Sequence, residues 1–292
     1  MDWDLKKQIS VWYEEEAYDK IIEALENQKE QDYSSIVFLA GIYTRRGEPG
    51  DTERADALMN MIADIELKDI GTSGQADEEQ EEVELYDEED LDLLDQYIEE
   101  HFGEFTQVFH EMVSLDIHLD VCIIPPGEDR NFYTLVTMGM GAHIMDVPEN
   151  LSQMELERAE LMICLPEDWD LESHEEKWYW PIRLLKTLAR IPIKENSWLA
   201  WGHTIDYDEP FDVSTGLCGA VLIDPVEFGD IQEECILSDG SEVNFYQVIP
   251  LYREELNFKQ EAGAENLLKK LSANVTIVNP SRKNYCRLKM LS

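Results

Sequence analysis

The sequence predicts an α+β fold, a mixed sheet packed with helices and preceded by a small all-helical region. Three observations predict it. Apolar residues recur at helical spacing over roughly the first 68 positions, the period switches to two from Leu115, and beyond that point strand-like and helix-like runs follow one another without regular alternation.

In the first region, 1–70, Leu5, Ile9, Trp12 and Tyr13 share one helical face, and Ile21, Ile22 and Leu25 continue it after Tyr18. Ile36, Leu39, Ala40 and Tyr43 form a third stripe, stopped by Gly47, Pro49 and Gly50. Ala55, Leu58, Met59, Ile62 and Ile65 form a fourth. Helix, turn, helix is the unit of helical repeats, so the region reads either as a degenerate tetratricopeptide-like array or as a simple helical cap. Residues 71–90 read as an acidic linker: Gly-Thr-Ser-Gly opens it, and no Lys or Arg occurs from Asp77 to Glu100.

The main domain is expected over 91–292. Leu91, Leu94, Tyr97, Ile98, Phe102, Phe105, Val108, Phe109 and Met112 predict an amphipathic helix interrupted near Gly103. Ile117, Leu119, Val121 and Ile123 then alternate with polar residues until Pro125-Pro126-Gly127 ends the strand. Further strands are predicted over Phe132–Met138, Ala159–Leu165 and Leu217–Ile223, and a hairpin of Cys235–Leu237 with Val243–Ile249 around Asp239-Gly240. Helices are predicted at Trp180–Ala189, with Pro181 in its first turn, at Leu251–Lys259 and at Glu265–Leu271; Val275–Val278 closes the order as a short strand.

Composition narrows the function classes. Of 292 residues 43% are hydrophobic, enough for a real core, while the formal net charge is −41. That charge repels phosphate backbones, which argues against direct nucleic-acid binding, and it steers in basic partners. Five cysteines (Cys122, Cys164, Cys218, Cys235, Cys286) stand singly, which fits a reducing cytosol rather than a disulfide framework. The N-terminus has no apolar core of a secretion signal and no apolar run approaches 18 residues, so a cytoplasmic protein with no membrane partner is expected.

No phosphate-binding glycine loop, nucleophile elbow or zinc-protease motif is present, and no cofactor is expected. The six histidines show no metal-ligand spacing; His118 between Asp116 and Asp120 reads as a solvated strand face. Four of seven tryptophans fall between Trp178 and Thr204, together with Arg183, Lys186 and Arg190 on one helical face and a Trp-Gly-His-Thr turn. His203 in that turn reads either as a structural and recognition group or as a general base beside Asp206 or Glu255.

The run IIPP (Ile123–Pro126), YTLVTMGM (Tyr133–Met140), MDVPE (Met145–Glu149), RAELMICLPEDW (Arg158–Trp169), WPIRLLKTLARIP (Trp180–Pro192), WLAWGHTI (Trp198–Ile205), LCGAVL (Leu217–Leu222), NFYQVIPLYREELNFK (Asn244–Lys259) and GAENLL (Gly263–Leu268) resembles, in order, the suppressor of fused family, over roughly residues 107–275. The resemblance implies an α+β protein-binding domain with no established catalysis. Animal members restrain zinc-finger transcription factors of Hedgehog signalling. This chain resembles the bacterial form, with helices at its N-terminus and no second C-terminal domain, and bacterial relatives are thought to be immunity proteins that neutralise toxins.

The reading is therefore a non-enzymatic binding protein, an immunity-type inhibitor of a basic toxin; the alternatives are a general scaffold or an enzyme centred on His203. Contact is expected at Trp198, Trp201, Gly202, His203, Thr204, Arg183, Arg190, Tyr252 and Glu255. Tryptophans supply buried area and arginines bind carboxylates bidentately.

Overall fold

A computed structural model describes residue 12 and residues 17–27, 33–47, 49–52, 54–55, 57–58, 83–111, 114, 116–127, 130–173, 175–229, 231–271 and 275–287. The chain divides into two compact units, Met1–Glu81 with Met112–Ser114, and Glu82–Glu111 with Leu115–Ser292. No described helix is long and apolar enough to cross a membrane.

In the first unit, α1 (Tyr18–Glu26) and α2 (Tyr33–Arg46) pack through Ile21, Ile22 and Leu25 on the first helix and, of the stripe predicted on the second, through Leu39 and Tyr43. Ile21, Ile22 and Leu25 meet Leu39, Ile42, Tyr43 and Ala55 in one small core. Arg46 ties the helix ends through Asp51 at 2.6 Å and through Asp19. Of the first stripe only Trp12 is described, and the fourth is described only as far as Leu58.

The second unit opens before the expected boundary at residue 91. Tyr86 is already buried, Glu84 bridges to Ile117, and the Asp87 side chain accepts the Asp90 N–H at 2.8 Å to cap α3 (Glu88–His101). The acidic run thus spends Glu88, Glu89 and Asp90 at the positive end of a helix, where carboxylates are favourable. The expected helix continuing to Met112 is not formed. It ends at His101 with Phe102 as its cap, Gly103 takes φ +114°, and Gln107–Phe109 become strand β1. Phe105, Val108 and Phe109 fit helical spacing by sequence, but Val108 and Phe109 find partners in Cys122 and Val121 across a sheet.

The strands are β1, β2 (Asp120–Ile124), β3 (Phe132–Met138), β4 (Ala159–Pro166), β5 (Thr204–Asp206), β6 (Leu217–Ile223), β7 (Cys235–Ile236) and β8 (Glu242–Tyr252). They pair in the order β1-β2-β3-β4-β8-β6-β5, with β7 on the near end of β8. Among the described strands only the β4–β8 pairing is parallel, so the sheet is mixed as expected. β8 has eleven residues and pairs in succession with β7, β4 and β6.

Both sheet faces are covered. On one, Val121, Ile123, Leu135, Leu161, Ile163, Leu222 and Val248 pack under Trp180, Leu184, Leu185 and Leu188 of α4 (Glu176–Ala189), which runs on into α5 (Ile191–Glu195). On the other, Leu94, Ile98 and Phe102 cover Ile124, Val136, Met162 and Phe245. Beside them Leu256 of α6 (Arg253–Ala262) and Leu267 of α7 (Ala264–Lys270) cover Val221, Ile249 and Leu251. Period-two alternation sends neighbours to opposite faces, so central strands buried on both read as continuous apolar runs.

Smaller expectations shift. Leu251 and Tyr252 belong to β8, because Leu251 still pairs with Gly219. Ile117 lies outside β2 and makes only the bridge to Glu84. Val275–Val278 forms one parallel bridge, Ile277 to Cys164, rather than a strand. α4 begins one turn before Trp180, which places Pro181 inside the helix.

Candidate functional site

The tryptophan-rich segment divides in two. Trp180 is fully buried, stacks on Phe211 with centroids 5.0 Å apart, and meets the edge of Trp169. Trp178 is half-buried against Trp169, whose indole N–H donates to the Trp178 carbonyl at 2.8 Å. These two rings belong to the core.

Trp198 to Thr204 is a built turn at the surface. Gly202 adopts φ +78°, a conformation that side-chain-bearing residues disfavour, and an added Cβ would approach Ala264 at 3.2 Å. Its N–H donates to the Leu222 carbonyl at 2.8 Å, and the Leu222 N–H donates back to the His203 carbonyl at 3.0 Å. A third bond, from the His203 N–H to the Ala200 carbonyl at 3.1 Å, closes the turn. Held this way on β6, Trp201 presents 39% of its surface, while half-buried Trp198 packs edge-on to the His203 ring at 5.3 Å. Thr204 opens β5, the terminal strand of the sheet order.

Burial pushes the His203 imidazole below its ordinary value; a hydrogen bond with the Trp198 backbone opposes this, and Lys259 reinforces it. The ring is therefore neutral at neutral pH. Neither carboxylate considered as its catalytic partner is free: Asp206 pairs with Arg253, and Glu255 with Arg282. His203 lines none of the principal clefts of the described residues.

The remaining expected contact residues are engaged within the protein. Arg183 holds Glu176 and donates to the Phe211 carbonyl at 2.9 Å. Arg190 is bound to Glu111 at 2.8 Å and Asp116 at 2.9 Å, and burial lowers the neighbouring Lys186. The basic stripe is thus largely neutralised from inside. Tyr252 donates its hydroxyl to the Arg282 carbonyl at 2.6 Å. Glu255 is 0% exposed and binds Arg282 at 2.8 Å and the N–H groups of Tyr252 and Tyr285, so its expected place in a contact surface gives way to a structural one.

Sequence reasoning missed two further groups. Glu160, fully buried on β4, accepts from the Tyr86 hydroxyl at 3.0 Å, the Thr137 hydroxyl at 2.6 Å and the N–H groups of Gly139, Met140 and Gly141. In the sequence it is one acidic residue in an acidic chain, and only its position inside the apolar run AELMICL signals burial. Glu100, His101 and Glu233 bring ligating atoms within 4.8 Å of one another. Their separation along the chain hid them. His118 has a side chain 40% exposed and, with His110, approaches Asp120.

A mixed sheet clad on both faces, with a constrained aromatic turn at its surface, defines an α+β domain. The family model of Suppressor of fused protein (SUFU) matches residues 116–283, more than half the chain, and the chain belongs to that family, whose members are generally protein-interaction domains. An uncharacterised protein of Ureaplasma parvum serovar 3 is 27% identical over 206 residues, 69% of this chain and 98% of its own. Among solved structures, a SUFU homologue from Neisseria gonorrhoeae superimposes with a TM-score of 0.50 at 14% identity, covering 69% of this chain and 98% of that one. The Sufu chain of a Sufu–Fu complex gives 0.48 at 15% identity, over 67% and 90%. At 14% identity the likeness to the Neisseria gonorrhoeae homologue is one of fold.

Proposed function

We propose that this protein is a non-enzymatic, cytoplasmic binding protein of the immunity type, which neutralises a basic toxin by gripping it at the Trp198–Thr204 turn. The exposed Trp201 indole on a turn fastened to β6 is the observation that carries the reading. A large ring already fixed in place loses little conformational freedom on binding and buries much area, which is the profile of a binding hot spot. Neutral His203 and the Thr204 hydroxyl beside it supply hydrogen-bonding groups, and Trp198 backs the imidazole. A net charge of −41 favours a cationic partner. The unpaired thiols of Cys122, Cys164, Cys218, Cys235 and Cys286 agree with a reducing compartment.

Affinity capture from the native cell tests this. Wild-type protein is expected to retain a basic polypeptide that the Trp201→Ala/His203→Ala variant, with an unchanged circular dichroism spectrum, recovers poorly. Trp201→Ala alone should weaken binding by about thirtyfold, as for a hot-spot residue. Equal recovery by wild type and double variant would remove this surface from consideration.

A further inference from the structure

The described half-buried arginines Arg46, Arg158, Arg183, Arg190, Arg253 and Arg282 each meet a carboxylate. Arg130 does not. Its backbone is pinned to Gly127 by a reciprocal pair of hydrogen bonds, and its guanidinium lies 4.9 Å over the Phe228 ring. One of its nitrogens fills the space above Gly103, where an added Cβ would come within 2.5 Å of it. Among the described residues its side chain reaches no acceptor. In a chain with 64 acidic residues a carboxylate neighbour is easily found, and a half-buried charge left without one is costly. The guanidinium is held in place and, among the described residues, its hydrogen-bonding groups meet no acceptor.

The side chain lines a cleft of about 670 Å³, a volume suited to a small molecule. Ile124, Pro125, Pro126 and Phe228 form apolar wall. Glu104 and Glu227 also line it, and Glu227 already accepts the Thr276 hydroxyl. His101 also lines the cleft but is turned to Glu233, so a dianion such as phosphate would meet Glu104 and Glu227 with only the guanidinium to answer its second charge among the described lining residues. A single planar carboxylate matches the guanidinium fork with two parallel hydrogen bonds, and a hydrocarbon body suits the proline and phenylalanine wall. We propose that the Arg130 cleft is a binding site for a small monocarboxylic acid with an apolar body. The site is independent of the Trp201 turn and of the toxin reading.

Isothermal titration of the full chain with benzoate, inorganic phosphate and benzyl alcohol tests the assignment. Benzoate is expected to bind saturably, one per chain, with phosphate and benzyl alcohol at least tenfold weaker. Arg130→Gln should weaken benzoate at least tenfold, and Arg130→Lys, which keeps the charge but loses the fork, should fall between. The exposed-site variant Arg287→Gln should match wild type. In case Arg130→Gln perturbs folding, benzoate-induced shifts of the Ile124 methyl signals in the wild type give a separate reading. Absence of saturable benzoate binding, equal binding by a folded Arg130→Gln, unmoved Ile124 signals, or phosphate binding more tightly than benzoate would overturn the proposal.

Discussion

At Glu160 two large effects oppose one another. Burial raises its carboxyl from the ordinary 4.5 to about 7, while donors from Thr137, Gly141, Gly139 and Tyr86 pull it back. A raised acid binds protons in the folded chain that the unfolded chain has already released. Between pH 4.5 and about 7 the folded state therefore holds more protons, and this group's contribution makes stability fall as pH rises. The loss amounts to about 3 kcal/mol across that window and levels off above it. Glu160→Gln should abolish the slope. It should also cost about 2–4 kcal/mol, because an amide nitrogen would face hydrogen-bond donors on one side. Denaturant midpoints at pH 5 and pH 8 check both: a slope that persists in the variant would place the titration elsewhere. The residue scale is also where sequence reading was weakest. Trp201 and Trp180 look alike in the sequence, yet one is 39% exposed and the other 0%, because what covers each ring comes from distant segments.

At the scale of elements, strands buried on both faces announced themselves as apolar runs, and β3, β4 and β6 lie where the sequence placed them. Short pieces did not. β1 hid inside a helical pattern, and the three-residue β5 is too brief to show a period. The contact of α6 with β6 rests on Gly219, where an added Cβ would lie 2.5 Å from a Leu256 methyl and 2.6 Å from the Ile205 carbonyl oxygen. Gly219→Ala must push β5 or α6 away from β6, and is expected to cost about 1–3 kcal/mol as an overpacking change. Because β5 continues the Trp201 turn, the same variant should alter the tryptophan emission spectrum. A melting temperature and emission maximum equal to wild type would show that the strand and helix give way freely.

For the whole molecule, charge is the governing property. A −41 chain approaching a cationic partner gains chiefly in encounter rate, and that gain is screened by salt. For the captured partner, raising ionic strength from about 20 to 500 mM should slow association by about tenfold or more and change dissociation far less. Stopped-flow measurement of both rates decides it; salt-insensitive association would mean that the acidic surface serves solubility alone. Charge and fold class were open to a reader of the sequence. Which arginines were already occupied was not, since Arg190 meets Glu111 and Asp116 only once the chain has folded.

The parallel register of β4 and β8 carries a consequence for biosynthesis. Ala159 pairs with Asn244, roughly 85 residues later, and a closure of that length is slow compared with the antiparallel meander from β1 to β4. On the ribosome β4 would therefore emerge well before its neighbour, an apolar strand with one open edge, the kind of segment that pairs with the wrong chain. Its nascent chain should need shielding by a holdase during that interval, and expression at lower temperature or slower translation should raise the yield of correctly closed sheet.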